Sequence, residues 1–332
     1  IMCTAITYKT QDTYFGRNLD LELSYGEEVV ITPRNFPLNF RHLAPLTTHF
    51  AIIGMATVAP SDGQPYPLYY DAINEHGLGI AGLNFPGNAV YHPVTDGRDN
   101  LAQFELVPWL LGQCRTVADV KSHLTNLNLA DTPFSDQFPP AELHWLIADA
   151  DSAIVVESVA DGLKIYDNPI GVLTNNPPFP IQSFRLHDYL NLSAAEPTNQ
   201  FAPALDLQPY CHGLGAHGLP GDLSSGSRFV KAAFTRLNSV SAPDELSSVS
   251  QFFHILHSVD QPRGSSRFGT PDDPKYEIAI YSSCCNLRTG VYYYTCYDNH
   301  QITAVDLHRV DLDGTDLSRY PLITTEQIAQ QN

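Results

Sequence analysis

Met2-Cys3-Thr4-Ala5-Ile6-Thr7-Tyr8 stands at the start of the chain, and Gly16-Arg17-Asn18-Leu19-Asp20 follows in the same short block. Apolar and polar residues alternate from Thr4 to Tyr8, the period of a half-buried strand, so Cys3 opens a strand. A thiol attacks only as its thiolate, and with a reference pKa of about 8.5 it needs a base or a positive neighbour at neutral pH. An amino-terminal cysteine carries that base in its own α-amine, whose reference pKa is about 7.7 to 8.0. A Met-Cys-Thr start fits, because an initiator methionine before a small residue is removed and leaves Cys3 first. Arg17 and Asp20 then offer a cation to favour the thiolate and a carboxylate to orient the amine. Taken alone, the cysteine is equally a core residue and the charged pair a surface salt bridge.

Short strands are expected from Cys3 to Asn84, with β-branched residues crowding Val29 to Thr32 and Phe50 to Val58. Helical spacing covers Phe104 to Cys114 and Thr116 to Leu127, the second with Thr116 as amino-terminal cap. A second strand cluster follows at Leu143–Ile147, Ala153–Ser158, Leu163–Tyr166 and Gly171–Leu173. Two more helices put Phe229, Ala233, Leu237 and Val240 on one face, and Leu246, Val249, Phe253 and Leu256 on another. The last strands are Tyr276–Ser282, Val291–Tyr297 and Gln301–Val305. Strand blocks alternating with helix pairs, with no linker between them, predict a single layered α+β domain over residues 1–332.

The composition narrows the function classes. The 332 residues are 43% hydrophobic and 16% charged, which suits a compact globule, and the formal charge of -18 repels polyanions. No nucleic-acid partner and no anionic membrane surface are therefore expected. Membrane insertion is not expected either, because the apolar run from Phe50 to Ala59 is too short to span a bilayer. No basic start leading into an apolar stretch opens the chain, so a cytoplasmic location is expected. The cysteines, Cys3, Cys114, Cys211, Cys284, Cys285 and Cys296, have neither disulfide-scaffold density nor metal-type spacing.

Several other patterns carry no chemistry. Gly77-Leu-Gly79-Ile-Ala-Gly82 and Gly213-Leu-Gly215-Ala-His-Gly218 match the dinucleotide fingerprint, yet prolines 86 and 220 follow where a phosphate-binding helix would begin. His254 and His257 are a helical pair without the metalloprotease arrangement, and Cys284-Cys285 in a strand point to opposite faces. Asn191-Leu-Ser193 matters only in a secreted eukaryotic chain.

Longer segments decide the matter: Met-Cys-Thr-Ala-Ile at 2–6, Phe-Gly-Arg-Asn-Leu-Asp at 15–20, Ala-Gly-Leu-Asn-Phe at 81–85, Gly-Val-Leu-Thr-Asn-Asn-Pro at 171–177, Gly-Leu-Pro-Gly-Asp-Leu-Ser-Ser at 218–225, Ser-Arg-Phe-Val at 227–230 and Ile-Tyr-Ser-Ser-Cys-Cys-Asn at 280–286. Along nearly its whole length the chain resembles the choloylglycine hydrolase family, the bile salt hydrolases and penicillin V acylases of gut bacteria, and most closely the lactic acid bacterial branch. The resemblance implies an N-terminal nucleophile hydrolase fold, an αββα sandwich of two antiparallel sheets between helical layers, working without metal or organic cofactor. It also implies a homotetramer that hydrolyses conjugated bile salts such as glycocholate and taurocholate.

Carried onto matching positions, the resemblance implies Cys3 as nucleophile, Asp20 as holder of its α-amine and Arg17 as positive neighbour of the thiol. Asn84 and Asn175 would support the oxyanion, and Arg228 would stabilise charge near the reacting centre. A steroid needs a largely apolar cleft, and the loops at Leu19–Tyr25 and Thr132–Phe138 are expected to line it, with Leu19, Tyr25 and Phe134 as substrate-binding residues. Penicillin V acylase is the rival activity, disfavoured because those enzymes often carry tyrosine where this chain has Asn84. A catalytically silent binding protein is the rival of another class, opposed by the retained set of functional residues. Ile1 precedes Met2, which ties the Cys3 amine into a peptide bond, so the chain as written is expected to be an unprocessed or engineered form.

Overall fold

A computed structural model describes residues 2–61 and 63–332. The expectation attached to Ile1 lies outside the described residues.

The opening block folds as six strands: β1 (Met2–Lys9), β2 (Thr13–Leu21), β3 (Glu28–Thr32), β4 (Ile52–Ser61), β5 (Gln64–Asn74) and β6 (Gly79–Asn84). β2 is buried along its entire length, so it is a central strand covered on both faces. Next come β7 (Asp99–Ala102), α1 (Leu106–Leu111), α2 (Val117–Leu124) and β8 (Leu127–Ala130). Thr116 caps α2 as expected, its hydroxyl accepting from Asp119 N at 3.1 Å while Asp119 Oδ2 accepts from Thr116 N at 3.0 Å. The second cluster is β9 (Leu143–Ala148), β10 (Ala153–Val159), β11 (Gly162–Asp167) and β12 (Val172–Leu173). Three helices follow, α3 (Phe179–Arg185), α4 (Ser225–Asn238) and α5 (Glu245–His257). The chain closes with β13 (Arg267–Thr270), β14 (Asp273–Tyr276), β15 (Ile278–Asn286), β16 (Val291–Cys296), β17 (Asn299–Asp306) and β18 (Ser318–Pro321).

Among the described residues, six strands form one sheet in the order β12-β1-β2-β15-β16-β17 and eight form another in the order β11-β10-β9-β6-β5-β4-β3-β18. Every pairing in these two sheets is antiparallel. The sheets meet where β1 and β2 cross β6; α4 and α5 cover the outer face of the first, and α1 covers the second at β5 and β6. One core cluster, with Ile6, Phe15, Ile53, Ile73, Leu83 and Phe252, runs between the sheets and under α4 and α5. A second, with Ile80, Trp145, Leu106, Leu110 and Val120, lies between the eight-stranded sheet and its helices. The α+β sandwich expected from the sequence is this arrangement.

Local expectations differ in places. The helix from Phe104 to Cys114 contracts to α1 behind a 3-10 turn at Gln103–Glu105. Leu237 and Val240 do not face the core; they are 58% and 85% exposed, and Val240 lies past the end of α4. The inward position there belongs to Arg236, whose guanidinium reaches Thr7 O and, at 2.9 Å, Thr7 Oγ1. Leu246 is 78% exposed because the inward face of α5 runs through Ser248, Val249, Phe252 and Leu256 instead. The parallel pair β7–β8, the helix α3 and the edge strand β18 had no clear periodicity to announce them. Cys284 and Cys285 lie inside β15, both fully buried.

Candidate active site

The β1–β2 register places Cys3 opposite Leu19, Ala5 opposite Arg17 and Met2 opposite Asp20. Alternation along a strand puts Cys3, Arg17 and Leu19 on the face turned toward the second sheet, and Thr4, Asn18 and Asp20 on the face turned toward α4 and α5. Arg17 confirms the first assignment, since its NH1 bonds Tyr70 O of β5 at 3.1 Å and Gly82 O of β6. Asn18 confirms the second, donating to Leu256 O of α5 at 3.0 Å.

β12 pairs with β1 at Ala5 and Ile6. Just beyond it, the Asn175 side chain continues the edge, its Oδ1 accepting the Cys3 N–H at 2.8 Å. Arg228, fully buried on α4, donates to the same Oδ1 at 2.7 Å, to Cys3 O at 2.5 Å, to Thr4 Oγ1 at 2.6 Å and to Leu223 O at 3.0 Å. Asn175 Nδ2 donates to Asn84 O at 2.7 Å, which leaves it one amide hydrogen. Asn84 ends β6 and is half-buried. Cys3, Asn84 and Arg228, from three elements, and Asn175, from the loop after β12, are thus drawn into one hydrogen-bonded chain.

Asp20 and Arg17 sit beside that chain without bonding it. Both Asp20 oxygens and Arg17 NH2 are buried without a hydrogen-bond partner in the protein. The Cys3 N–H, which Asp20 was expected to hold as an amine, is an amide N–H here and goes to Asn175. Burial pushes the Asp20 carboxyl up to about 8, with Asp260 and Glu277 adding to the shift and Arg228 and Arg17 opposing it. Burial disfavours the Arg17 charge, but Cys3, Tyr281, Asp71 and Asp20 outweigh it and hold the guanidinium above its usual range. Arg17 therefore lies within electrostatic reach of the thiol. Asp71 balances it from β5, taking hydrogen bonds from Tyr281 at 2.5 Å, Tyr292 at 2.7 Å and Ser283 at 2.9 Å.

The other buried thiols are poor nucleophiles where they stand. Burial raises Cys114 and Cys296 to about 12, and drives Cys284 and Cys285 well above the usual thiol range. Cys211 is exposed and outside the site. Among the described residues no cluster of three or more His, Cys, Asp or Glu side chains could hold a metal ion.

The three residues assigned to substrate come from β2 and from two loops. Leu19 adjoins Cys3 but is buried. Tyr25 is 48% exposed, with its carbonyl at Thr57 of β4. Phe134 packs on Ala59 and Tyr66 at the far end of the β4–β5 hairpin. Leu19 is the one of the three in the strand that carries Arg17, while Tyr25 and Phe134 lie on separate loops along the β4–β5 hairpin, whose Tyr70 O accepts from Arg17.

Sequence reasoning did not find several supports. Ser225 Oγ receives Asn175 N at 2.9 Å, Gln182 bonds Asn175 O, and Thr174 Oγ1 bonds Gln182 at 2.7 Å. His144, Glu157 and Asp71 are fully buried ionisable residues within strands that read as ordinary core. A charged or ionisable side chain amid an apolar strand was the available signal.

A model of the linear amide C-N hydrolases, choloylglycine hydrolase family, matches residues 3–320. The chain is 55% identical to a bile salt hydrolase/transferase of Lactiplantibacillus plantarum, over 98% of each chain. It is 40% identical to a conjugated bile acid hydrolase of Lactobacillus acidophilus, over 96% of this chain and all of that one. Its fold superimposes on a variant of the conjugated bile acid hydrolase from Clostridium perfringens with a TM-score of 0.90, at 36% identity, covering 99% of this chain and 100% of that one. The penicillin V acylase of Agrobacterium tumefaciens shares the fold at a TM-score of 0.71 and 18% identity, covering 96% of this chain and 90% of the other.

Proposed function

This chain belongs to the choloylglycine hydrolase family of linear amide C–N hydrolases, and from that premise we propose that it is a bile salt hydrolase acting on glycine- and taurine-conjugated bile salts through Cys3. The observation that carries this is the chain of hydrogen bonds joining Cys3, Asn175, Arg228 and Asn84 around a cysteine beside the amino terminus. Removal of Met2, and of anything before it, frees the Cys3 nitrogen next to the partnerless carboxylate of Asp20, which then holds the amine. No cofactor enters the reaction.

The Cys3 thiolate, favoured by Arg17, attacks the carbonyl carbon of the conjugating amide, and the C=O electron pair moves onto oxygen. Asn84 and the remaining amide hydrogen of Asn175 stabilise that oxyanion, with Arg228 adding positive charge; removing one such donor typically costs about 10² to 10³ in rate. Collapse breaks the C–N bond, and glycine or taurine departs with a proton from the α-ammonium group. Water then attacks the cholyl thioester, the α-amine takes its proton, and the bile acid leaves as the thiolate is restored.

We extend the proposal to a cytoplasmic homotetramer formed of one-domain chains. The charge of -18 works against nucleic acid and anionic membranes, and no helix among the described residues is long and apolar enough to cross a membrane. Light scattering giving four chain masses tests the assembly. The function is tested by side-by-side turnover of glycocholate, taurocholate and penicillin V by protein shown to begin at Cys3. Preferential release of glycine or taurine supports the proposal. Preferential penicillin V cleavage overturns the substrate, and inactivity on all three returns the chain to the binding-protein class.

A further inference from the structure

We propose that His144, seated on Glu157, is a positioning residue that fixes the places of Asn84 and Asn175 and thereby sets the rate of the chemical step; this rests on the function proposed above. His144 and Glu157 are fully buried and face one another across β9 and β10. His144 Nε2 lies 2.7 Å from Thr174 O, and because a carbonyl only accepts, that nitrogen carries a hydrogen. His144 Nδ1 lies 3.1 Å from Glu157 Oε1, which also takes the Phe179 N–H at 2.9 Å. Against the ring face, Phe85 stacks at 4.2 Å and 7°.

One imidazole therefore grips the residue after Asn84 and the residue before Asn175. Asn84 is the last residue of β6, paired with Leu143 of β9, and Asn175 lies two residues beyond the short strand β12, so each sits where regular pairing stops. Two buried ionisable groups are a costly way to fill space that apolar side chains would fill as well. Their directional bonds instead set where the two asparagines sit, and a misplacement of about 1 Å at a reacting centre costs roughly 10²-fold in rate. Neither group bonds Cys3, whose thiol takes no hydrogen bond from them; the pair reaches the nucleophile only through the Cys3 N–H on Asn175.

The test compares the parent with His144→Leu, His144→Gln and the double variant His144→Leu/Glu157→Leu, in protein beginning at Cys3. The double variant leaves neither ionisable group facing the other's absence, though Phe179 N–H and Thr174 O lose their partners, and it stands in should the single leucine variant not fold. The leucine variants should lose about 10- to 100-fold in kcat with KM changed less than about threefold. Alkylation of Cys3 by iodoacetamide should stay within about twofold of the parent, since the thiol is untouched. His144→Gln, whose terminal amide can donate to Thr174 O, should recover most of kcat. Equal kcat in parent and leucine variants, equal loss in the glutamine variant, or alkylation falling in step with kcat would each overturn the positioning role. A parent inactive on every conjugate would remove the proposed function and this role together, whereas an active parent with an equally active leucine variant removes the role alone.

Discussion

Asp20 stands directly across from Met2 in the β1–β2 pair, and both oxygens of its buried carboxylate lack a hydrogen-bond partner in the protein. Burial favours the uncharged form of such a carboxyl even with Arg228 and Arg17 opposing it, and a cation that bonds it directly favours the charged form. The ammonium of a newly freed Cys3 is such a cation, one residue further along the same strand.

In the chain that retains Met2, Asp20 makes stability depend on pH. Its carboxyl rises from the usual 3.8 to about 8 on folding, so between those values the folded state holds a proton that the unfolded state has released. The stability supplied by that proton is complete below the unfolded value and is lost as pH rises through the folded one. Asp20→Asn cannot ionise, so its melting temperature should gain on the parent as pH rises from about 5 to about 8.5. A difference that stays flat across the range contradicts this account of Asp20.

Arg228 should tolerate no substitute. Its planar fork serves Cys3 O, Thr4 Oγ1, Asn175 Oδ1 and Leu223 O at once, which the single ammonium of lysine cannot do. Losing hydrogen bonds to a buried cation at about 1.5 to 3 kcal/mol each, Arg228→Lys should unfold several kcal/mol more easily in urea. The folded fraction should also turn over more slowly, because Asn175 loses the guanidinium that anchors it. Unchanged stability in a urea titration would contradict the arrangement.

Gly16 shows why the motif before Arg17 carries a glycine. A Cβ there would lie 2.0 Å from Ser283 O and 2.6 Å from Ser283 C, backbone atoms of the adjacent central strand β15. Gly16→Ala must push the strands apart, with a loss of about 1 to 3 kcal/mol or more. Arg17 N bonds Ser283 Oγ at 3.1 Å, so kcat should fall with the melting temperature. A variant as stable and as active as the parent would mean that the two strands are not packed so closely.

The layered architecture was legible because its causes are local. Alternation marked β1, the Thr116 cap marked the start of α2, and β-branched runs marked β3 and β4. The nucleophile and its partners were legible only through segment-level resemblance, since Arg228 and Asn175 meet Cys3 across the fold and nothing in local spacing joins them. What stayed hidden depended on partners that the chain supplies from elsewhere. Spacing alone puts Leu237 on the apolar stripe, yet Arg236 fills the inward position by reaching Thr7. His144 and Glu157 were invisible as a pair until β9 and β10 were placed side by side. The placing of Tyr25 and Phe134 was hidden for the same reason, because both loops take their positions from the β4–β5 hairpin.

The most direct test is glycocholate turnover by two preparations of the same chain, one shown by intact mass to begin at Cys3 and one that retains Met2, with Cys3→Ser as the background. Freed of Met2, the chain should turn over at least about 10³-fold faster than either of the others, because only it has both the thiol and the free amine. Equal turnover with and without Met2 would contradict the role given to the α-amine, and a Cys3→Ser background as fast as the parent would remove Cys3 as the nucleophile.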